Sequence, residues 1–307
     1  MADSGTDVVT GAFGYTGRYL TRRLLAEGRA VRTLTNKPAG EEDRTGIEVH
    51  ALAFEEPQRL VEALRGADTL YNTYWVRFAY GEVSYERAVA NTRTLFRAAR
   101  DAGVQRIVHV SITNASESSP FPYFRWKGVL ETELSKLGVR YAIVRPTVIF
   151  GLEDILINNV GWFLRRFPIF VAPGGGEYRL QPVYVDDLAA LLIDAGAGES
   201  GVVFDAVGPE QYRLTELVEV LRGAVGSHAR VVTVPAAVAL GLSKLVGRVV
   251  RDVVLTSDEL EGLRAGLLVS KGPPTAATSF REWTNEHGRQ LGLGRSWASE
   301  LTRHYRR

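Results

Sequence analysis

The sequence predicts an α/β fold built on a doubly wound parallel sheet, with a smaller cap interleaved into its C-terminal half. Three features carry that reading. Short β-rich runs alternate with helical patterns through the first half. Helical runs close on glycines, at Gly28, Gly103 and Gly138. A glycine triplet joins the first strand to the first helix. In order, residues 7–10 (DVVT) form strand one, and a helix over 17–27 stops at Gly28. Strand two covers 30–34 and a third run 47–54. A helix over 57–64 leads to strand four at 69–73. A long helix, 85–102, ends at Gly103 and feeds strand five, 106–112. A helix over 123–137, closed by Gly138, precedes strand six at 141–144. Right-handed crossovers of this length build such a sheet.

From Gly151 the pattern loosens, and Trp162, Phe163, Phe167 and Phe170 mix with Pro and Gly. The strand-like run 201–207 is expected to rejoin the sheet, followed by a helix over 214–225. The tail from Val231 holds two or three helices. The expected organisation is a core over 1–150 and a substrate or cap region over 151–307, with elements of about 183–225 returning to the core.

Composition narrows the function. The 307 residues are 45% hydrophobic and 23% charged, an ordinary globular balance. A net charge of +2 with no long basic run argues for neither nucleic acid nor an anionic membrane. There is no cysteine, which excludes disulfides, thiolate catalysis and cysteine-ligated metals and fits a cytoplasmic protein. His50, His109, His228, His287 and His304 form no pair at ligand spacing, so no metal is expected. The five residues before strand one leave the expectation of no targeting segment. The longest apolar stretch, 232–250, is broken by Ser243, Lys244 and Arg248 and is no membrane span. Its stripe of Leu242, Leu245, Val246, Val249 and Val253 is expected to pack on the cap, with membrane-surface or partner-helix contact as the alternative.

Residues 10–17 read TGAFGYTG, placing Gly11, Gly14 and Gly17 three apart between a strand and an amphipathic helix. Such a turn is tight, lets backbone approach a pyrophosphate, and seats the helix close on the strand. The helix N-terminus adds amides and partial positive charge. This is the Rossmann phosphate turn, and Gly11, Phe13, Gly14, Tyr15, Thr16 and Gly17 are its expected contacts. An acid at the end of strand two would select NAD by holding the ribose hydroxyls. Here Asn36 and Lys37 stand instead, so NADP(H) is favoured and NAD(H) is the alternative.

Tyr123 and Lys127 lie four residues apart at a helix start, on one face. A free phenol, with a pKa of about 10, is a poor base at neutral pH. A neighbouring ammonium lowers it and lets the phenol exchange a proton with a carbonyl or alcohol, while the lysine can also hold the nicotinamide ribose.

These motifs, together with His109-Val110-Ser111-x-x-Asn114-Ala115, Arg145-Pro146-Thr147-x-x-Phe150-Gly151 and Val183-Tyr184-Val185-Asp186-Asp187-Leu188-Ala189, occur in order over residues 8 to about 190. The chain resembles the extended and atypical short-chain dehydrogenase/reductase superfamily, most closely its NmrA-like members and the accessory Rossmann subunit of respiratory complex I. The resemblance implies Tyr123 as acid/base, Lys127 as its electrostatic partner, and Thr113, with Ser111 as second choice, as the hydroxyl at the end of strand five. It places Ser111, Pro146 and Thr147 beside the nicotinamide. It puts Phe54 where the family often has an adenine-binding Asp. It brings the bulky strand-four end, Thr73 and Tyr74 with Trp75, past the cofactor. The expected function is hydride transfer between a nicotinamide and a small carbonyl or alcohol. A redox-neutral epimerase or dehydratase and a non-catalytic dinucleotide-binding sensor or assembly protein are the alternatives. The expected partner is a small-molecule substrate, with no nucleic acid; a homo-oligomer is left open.

Overall fold

The computed structural model describes residues 5–37, 45–81, 83–294 and 297–299. The expectations placed on Met1–Ser4 and on His304 lie outside them.

The chain runs through β1 (Thr6–Thr10), α1 (Tyr15–Ala26), β2 (Ala30–Leu34), β3 (Ile47–His50) and α2 (Pro57–Leu64). It continues with β4 (Ala67–Asn72), α3 (Tyr85–Asp101), β5 (Arg106–Val110), α4 (Pro122–Ser135) and β6 (Arg140–Pro146). Five elements follow: β7 (Ile149–Phe150), α5 (Ile155–Arg166), β8 (Ile169–Pro173), β9 (Arg179–Leu180) and β10 (Val183–Tyr184). Next come α6 (Val185–Ala197), β11 (Val202–Ala206), β12 (Tyr212–Arg213), α7 (Leu214–Ala224) and β13 (Arg230–Val234). Three helices close the described chain, α8 (Ala236–Val250), α9 (Ser257–Arg264) and α10 (Phe280–His287).

Seven strands form one sheet in the order β11-β6-β5-β4-β1-β2-β3, and every pairing within it is parallel. The sequence-predicted Rossmann sheet is therefore the observed one. Its central strands are buried on both faces, and so read as nearly continuous apolar runs. Val8, Val9, Leu70, Ile107, Val108 and Ile143 are all but inaccessible. From β1 the chain winds one way through β2 and β3; from β4 it winds the other way through β5 and β6. That reversal leaves a crevice beyond the carboxyl ends of β1 and β4, where ligands of this architecture bind.

The chain divides into two compact units. The first is the chain through Pro146 with Val185–Ala206; the second is Thr147–Tyr184 with Val207 onward. The first core gathers Val8, Leu34, Leu60, Leu70, Phe96 and Ile107. The second gathers Phe150, Ile157, Leu180, Val218, Phe280 and Trp283. The segment that joins the first unit is thus Val185–Ala206. The helix α7, expected to return with it, buries Leu217, Val218 and Leu221 in the second core instead.

Two local expectations differ. The third strand stops at His50 rather than 54, because the Leu52 N–H and carbonyl leave the ladder for the Asn36 side chain. In α8, the row expected to pack is outward: Leu242, Leu245 and Val249 are exposed, while Ala239 is buried. The helix lies against β8. A Cβ on Gly247 would lie 2.6 Å from the Asp252 carbonyl oxygen, where the chain turns back at the helix end.

Candidate functional site

The turn after β1 is shaped almost entirely by backbone. Gly11 has φ of 70°, a left-handed conformation that an L side chain resists. Its N–H donates to Leu34 O at 2.9 Å, and the Gly14 N–H donates to Gly11 O at 2.8 Å. The Ala12 N–H donates to Thr33 Oγ1 at 3.1 Å, and that hydroxyl donates in turn to Val9 O. A Cβ on Gly17 would sit 2.1 Å from Gly11 O, so only glycine lets the helix rest on the turn. Gly14 is the N-cap of α1, with no side-chain cap and no acid in the first turn. The amides of that first turn have no acceptor inside the helix and carry its partial positive charge outward. Phe13 turns its side chain into the core, leaving its backbone to the turn, while Tyr15 and Thr16 are half-buried. This cradle fits an anionic dinucleotide: backbone lines it, and a Cβ would fill it.

Beside the turn, a buried polar network ties three strand ends together. Thr73 donates its N–H to Thr10 Oγ1 (2.8 Å) and its hydroxyl to Thr10 O (2.6 Å). The Tyr74 N–H donates to Asn72 Oδ1 at 3.1 Å, and Asn72 Nδ2 donates to His109 Nδ1 at 3.0 Å. Thr10, Asn72 and His109 are buried. Burial, reinforced by the Lys127 charge, holds the His109 pKa well below its ordinary value, so the ring is neutral. With Nδ1 accepting, the ring proton belongs on Nε2.

The helix α4 begins at Pro122, a residue suited to the first helical turn. Four residues separate Tyr123 from Lys127. The lysine is 2% exposed, donates from Nζ to Val110 O at 2.7 Å, and lies 4.4 Å from the centre of the Trp75 ring. Burial pushes its pKa down to about 7, against a smaller upward pull from Glu131. Tyr123 meets the same indole edge-on, with ring centres 6.0 Å apart, and meets Tyr85 edge-on at 6.1 Å. Trp75 and Tyr85 are stacked. The bulky end of β4 therefore serves as a wall on which both the phenol and the ammonium are seated.

The other expected residues divide. Ser111 is drawn into a buried charge pair: its hydroxyl donates to Glu131, which is also clamped by Nε and Nη2 of Arg145. That engagement commits the proton of the Ser111 hydroxyl to Glu131. The Thr113 hydroxyl is buried without a hydrogen-bond partner among the described residues, while its N–H donates to Pro146 O at 3.0 Å. Asn36 spends its amide on the Leu52 backbone, in bonds of 3.0 Å each way. Lys37 is exposed just beyond β2. Phe54 packs on Tyr74 at 4.8 Å between centres, and the Tyr74 hydroxyl accepts from Asn91 Nδ2 at 2.9 Å. Pro146 is the buried last residue of β6. Thr147 opens the second unit, where its hydroxyl donates to Gln181 O. Reading the sequence overlooked Thr10, Thr33, Asn72, Asn91 and the Glu131–Arg145 pair. Thr10, Thr33, Asn72 and Arg145 stand out only as polar residues inside otherwise apolar strands, and Asn91 and Glu131, on α3 and α4, carry no local signal.

The family described as NAD(P)H-binding matches residues 11–153. The chain is 32% identical over 266 residues to NADH dehydrogenase (ubiquinone) 1 alpha subcomplex subunit 9, mitochondrial, of Mus musculus, covering 82% of this chain and 70% of that protein. It is 28% identical over 256 residues to the 4-hydroxy-2-methyl-3-oxo-4-farnesyl-3,4-dihydroquinoline-1-oxide ketoreductase of Stigmatella aurantiaca, covering 74% and 75%. Among solved structures, the NADPH-dependent quinone oxidoreductase of Escherichia coli, complexed with NADPH, superimposes with a TM-score of 0.72. It shares 22% identity over 91% of this chain and 99% of that one, which is likeness of fold. The chain thus belongs to the NAD(P)-binding Rossmann family of atypical short-chain dehydrogenase/reductases, alongside the alpha subcomplex subunit 9 proteins.

Proposed function

We propose that the protein is an NADP(H)-preferring oxidoreductase that reduces a small carbonyl compound, or oxidises the matching alcohol, with Tyr123 exchanging the proton. The observation that carries this reading is the shared seat of Tyr123 and Lys127 on Trp75, at the end of β5 and the start of α4. When bound, the nicotinamide supplies or accepts the hydride. The amides of the first turn of α1 hold the pyrophosphate, with Gly11, Gly14 and Gly17 keeping side chains out of its way. Lys37 meets the 2′-phosphate that distinguishes NADP from NAD. In the reducing direction the Tyr123 hydroxyl gives its proton to the carbonyl oxygen. The Lys127 ammonium stabilises the tyrosinate left behind until water reprotonates it. Thr113, buried and without a partner, holds the substrate oxygen against the phenol. The ketoreductase and the quinone oxidoreductase among the similar proteins support carbonyl chemistry.

One observation favours a second reading, a dinucleotide-holding protein without turnover. Lys127 Nζ is committed to Val110 O and to the Trp75 face. The similarity to a protein named as a subunit of NADH dehydrogenase points the same way, toward service inside a larger assembly.

The deciding experiment combines calorimetry with NADPH and a carbonyl screen that includes quinones and ketones. Tyr123→Phe is expected to lower kcat about a thousandfold while leaving the NADPH Kd nearly unchanged. Undiminished turnover in that variant removes Tyr123 from the reaction. Tight NADPH binding with no turnover on any carbonyl favours the second reading, and no heat with either dinucleotide overturns both.

A further inference from the structure

The helix α8 carries two parallel rows of side chains that its own unit does not use. Val238, Leu242, Leu245 and Val249, spaced four, three and four, form one outward row. Leu245 is 57% exposed and Val249 79%. Lys244 and Arg248, spaced four apart, form a second row along one flank, and Arg251, the left-handed C-cap that ends the helix, adds a third cation; all three are exposed. None of the three makes an ion pair among the described residues. The segregation extends beyond the helix. Residues 223–251 contain Arg230, Lys244, Arg248 and Arg251 but no Asp or Glu, which the net charge of +2 conceals.

We propose that α8 is a membrane-surface anchor. It lies in the interface of an anionic bilayer, with its apolar row in the acyl boundary and its cationic row on the lipid phosphates. Lysine and arginine on the flank of an apolar stripe suit that depth, since their stems lie along the apolar row while their charged ends reach the headgroups. The 15 residues of α8 span about 22 Å, short of the hydrocarbon thickness of about 30 Å, so the helix lies on the membrane and does not cross it. Charge identifies the occupant. A second copy of this chain docked through α8 would bring the same cations to the interface, with no carboxylate in residues 223–251 to meet them. An anionic lipid surface supplies the missing charge.

The test is co-sedimentation of the full chain with vesicles of phosphatidylcholine alone or mixed with phosphatidylglycerol. At about fivefold per cation, the three on α8 and its C-cap give a preference of about a hundredfold for the anionic vesicles, declining with added salt. Leu245→Glu with Val249→Glu is expected to abolish binding, and Lys244→Gln with Arg248→Gln and Arg251→Gln to erase the preference for anionic lipid. Val249→Trp provides a signal that does not depend on loss: its emission shifts blue on anionic vesicles and is quenched by brominated acyl chains. Wild-type protein that stays in the supernatant, or binding that survives the double glutamate variant, overturns the proposal. So does a wild-type dimer, seen by light scattering, that the double glutamate variant splits into monomers.

Discussion

Around the glycine turn, the bonds that set the geometry are backbone to backbone, with one hydroxyl, Thr33, closing the remaining gap. At the Tyr123–Lys127 face they are side chain to side chain or side chain to carbonyl: Lys127 on Val110, Ser111 and Arg145 on Glu131, Asn72 on His109. Both regions lie at the carboxyl end of the same sheet, yet they respond to different disturbances. A turn made of backbone fails when a Cβ is added and is indifferent to pH. A face made of buried polar side chains fails when one partner is removed and titrates with its charges. The proposed function uses this difference, binding an anion at the first region and moving a proton at the second.

The largest expected effect tests the second region through pH. Lys127 has a folded pKa of about 7 against an ordinary 10.5. Between those values the unfolded chain holds a proton that the folded protein has released, so stability rises with pH across that window. Below it, the folded protein must carry the buried charge and is least stable. Lys127→Met should remove the slope and unfold at higher urea than wild type at pH 7 and below. Urea midpoints measured on both proteins from about pH 6 to about pH 10 decide it. Parallel curves would mean that the ammonium is solvated.

Next is the buried pair. Glu131→Ala strands the Arg145 guanidinium and frees the Ser111 hydroxyl, at an expected cost of about 3 kcal/mol, with Arg145 partly exposed and so toward the low end for a broken buried pair. Glu131→Gln should lose less, since the amide oxygen still accepts. A loss within error in equilibrium unfolding would mean that this face does not depend on its side-chain pairs.

In the first region, Gly17→Ala forces a methyl group against Gly11 O and should lower stability by about 2 kcal/mol, with NADPH affinity falling alongside. Gly11→Ala meets only the positive-φ penalty, about 1 kcal/mol. Should the order reverse, close approach of helix and turn is not what Gly17 provides.

The contrast also explains what could be read from the chain alone. Gly11, Gly14 and Gly17 state their roles locally, because a turn depends on residues a few positions apart. The same holds for the strand order, since buried parallel strands announce themselves as apolar runs between helices. The bond from Ser111 to Glu131 joins residues twenty positions apart on β5's end and α4, and no local pattern links them. The same holds for Asn36, whose amide pairs with the Leu52 backbone across the β2–β3 edge. In α8 two apolar rows compete: Val238, Leu242, Leu245 and Val249 on one side, Ala239, Leu240, Val246 and Val250 on the other. Hydrophobicity cannot choose between them. The choice falls to tertiary packing, which buries Ala239 and leaves Leu242, Leu245 and Val249 exposed.

The smallest effect concerns the cofactor's far end, where the first region borders solvent. Lys37 is exposed, and its backbone N–H is fixed by Thr35 Oγ1 at 3.1 Å, which sets the direction in which the side chain leaves β2. An exposed ammonium on a phosphate is screened and gains little, about 1 kcal/mol. Lys37→Ala should therefore weaken NADPH binding by about fivefold and leave NADH binding unchanged, because NADH has no 2′-phosphate to lose. The selectivity should shrink further as salt is raised in wild type but not in the variant, since only wild type has a charge pair to screen. Equal losses for the two dinucleotides would place Lys37 outside the ribose site and return the cofactor preference to an open choice between NADP and NAD.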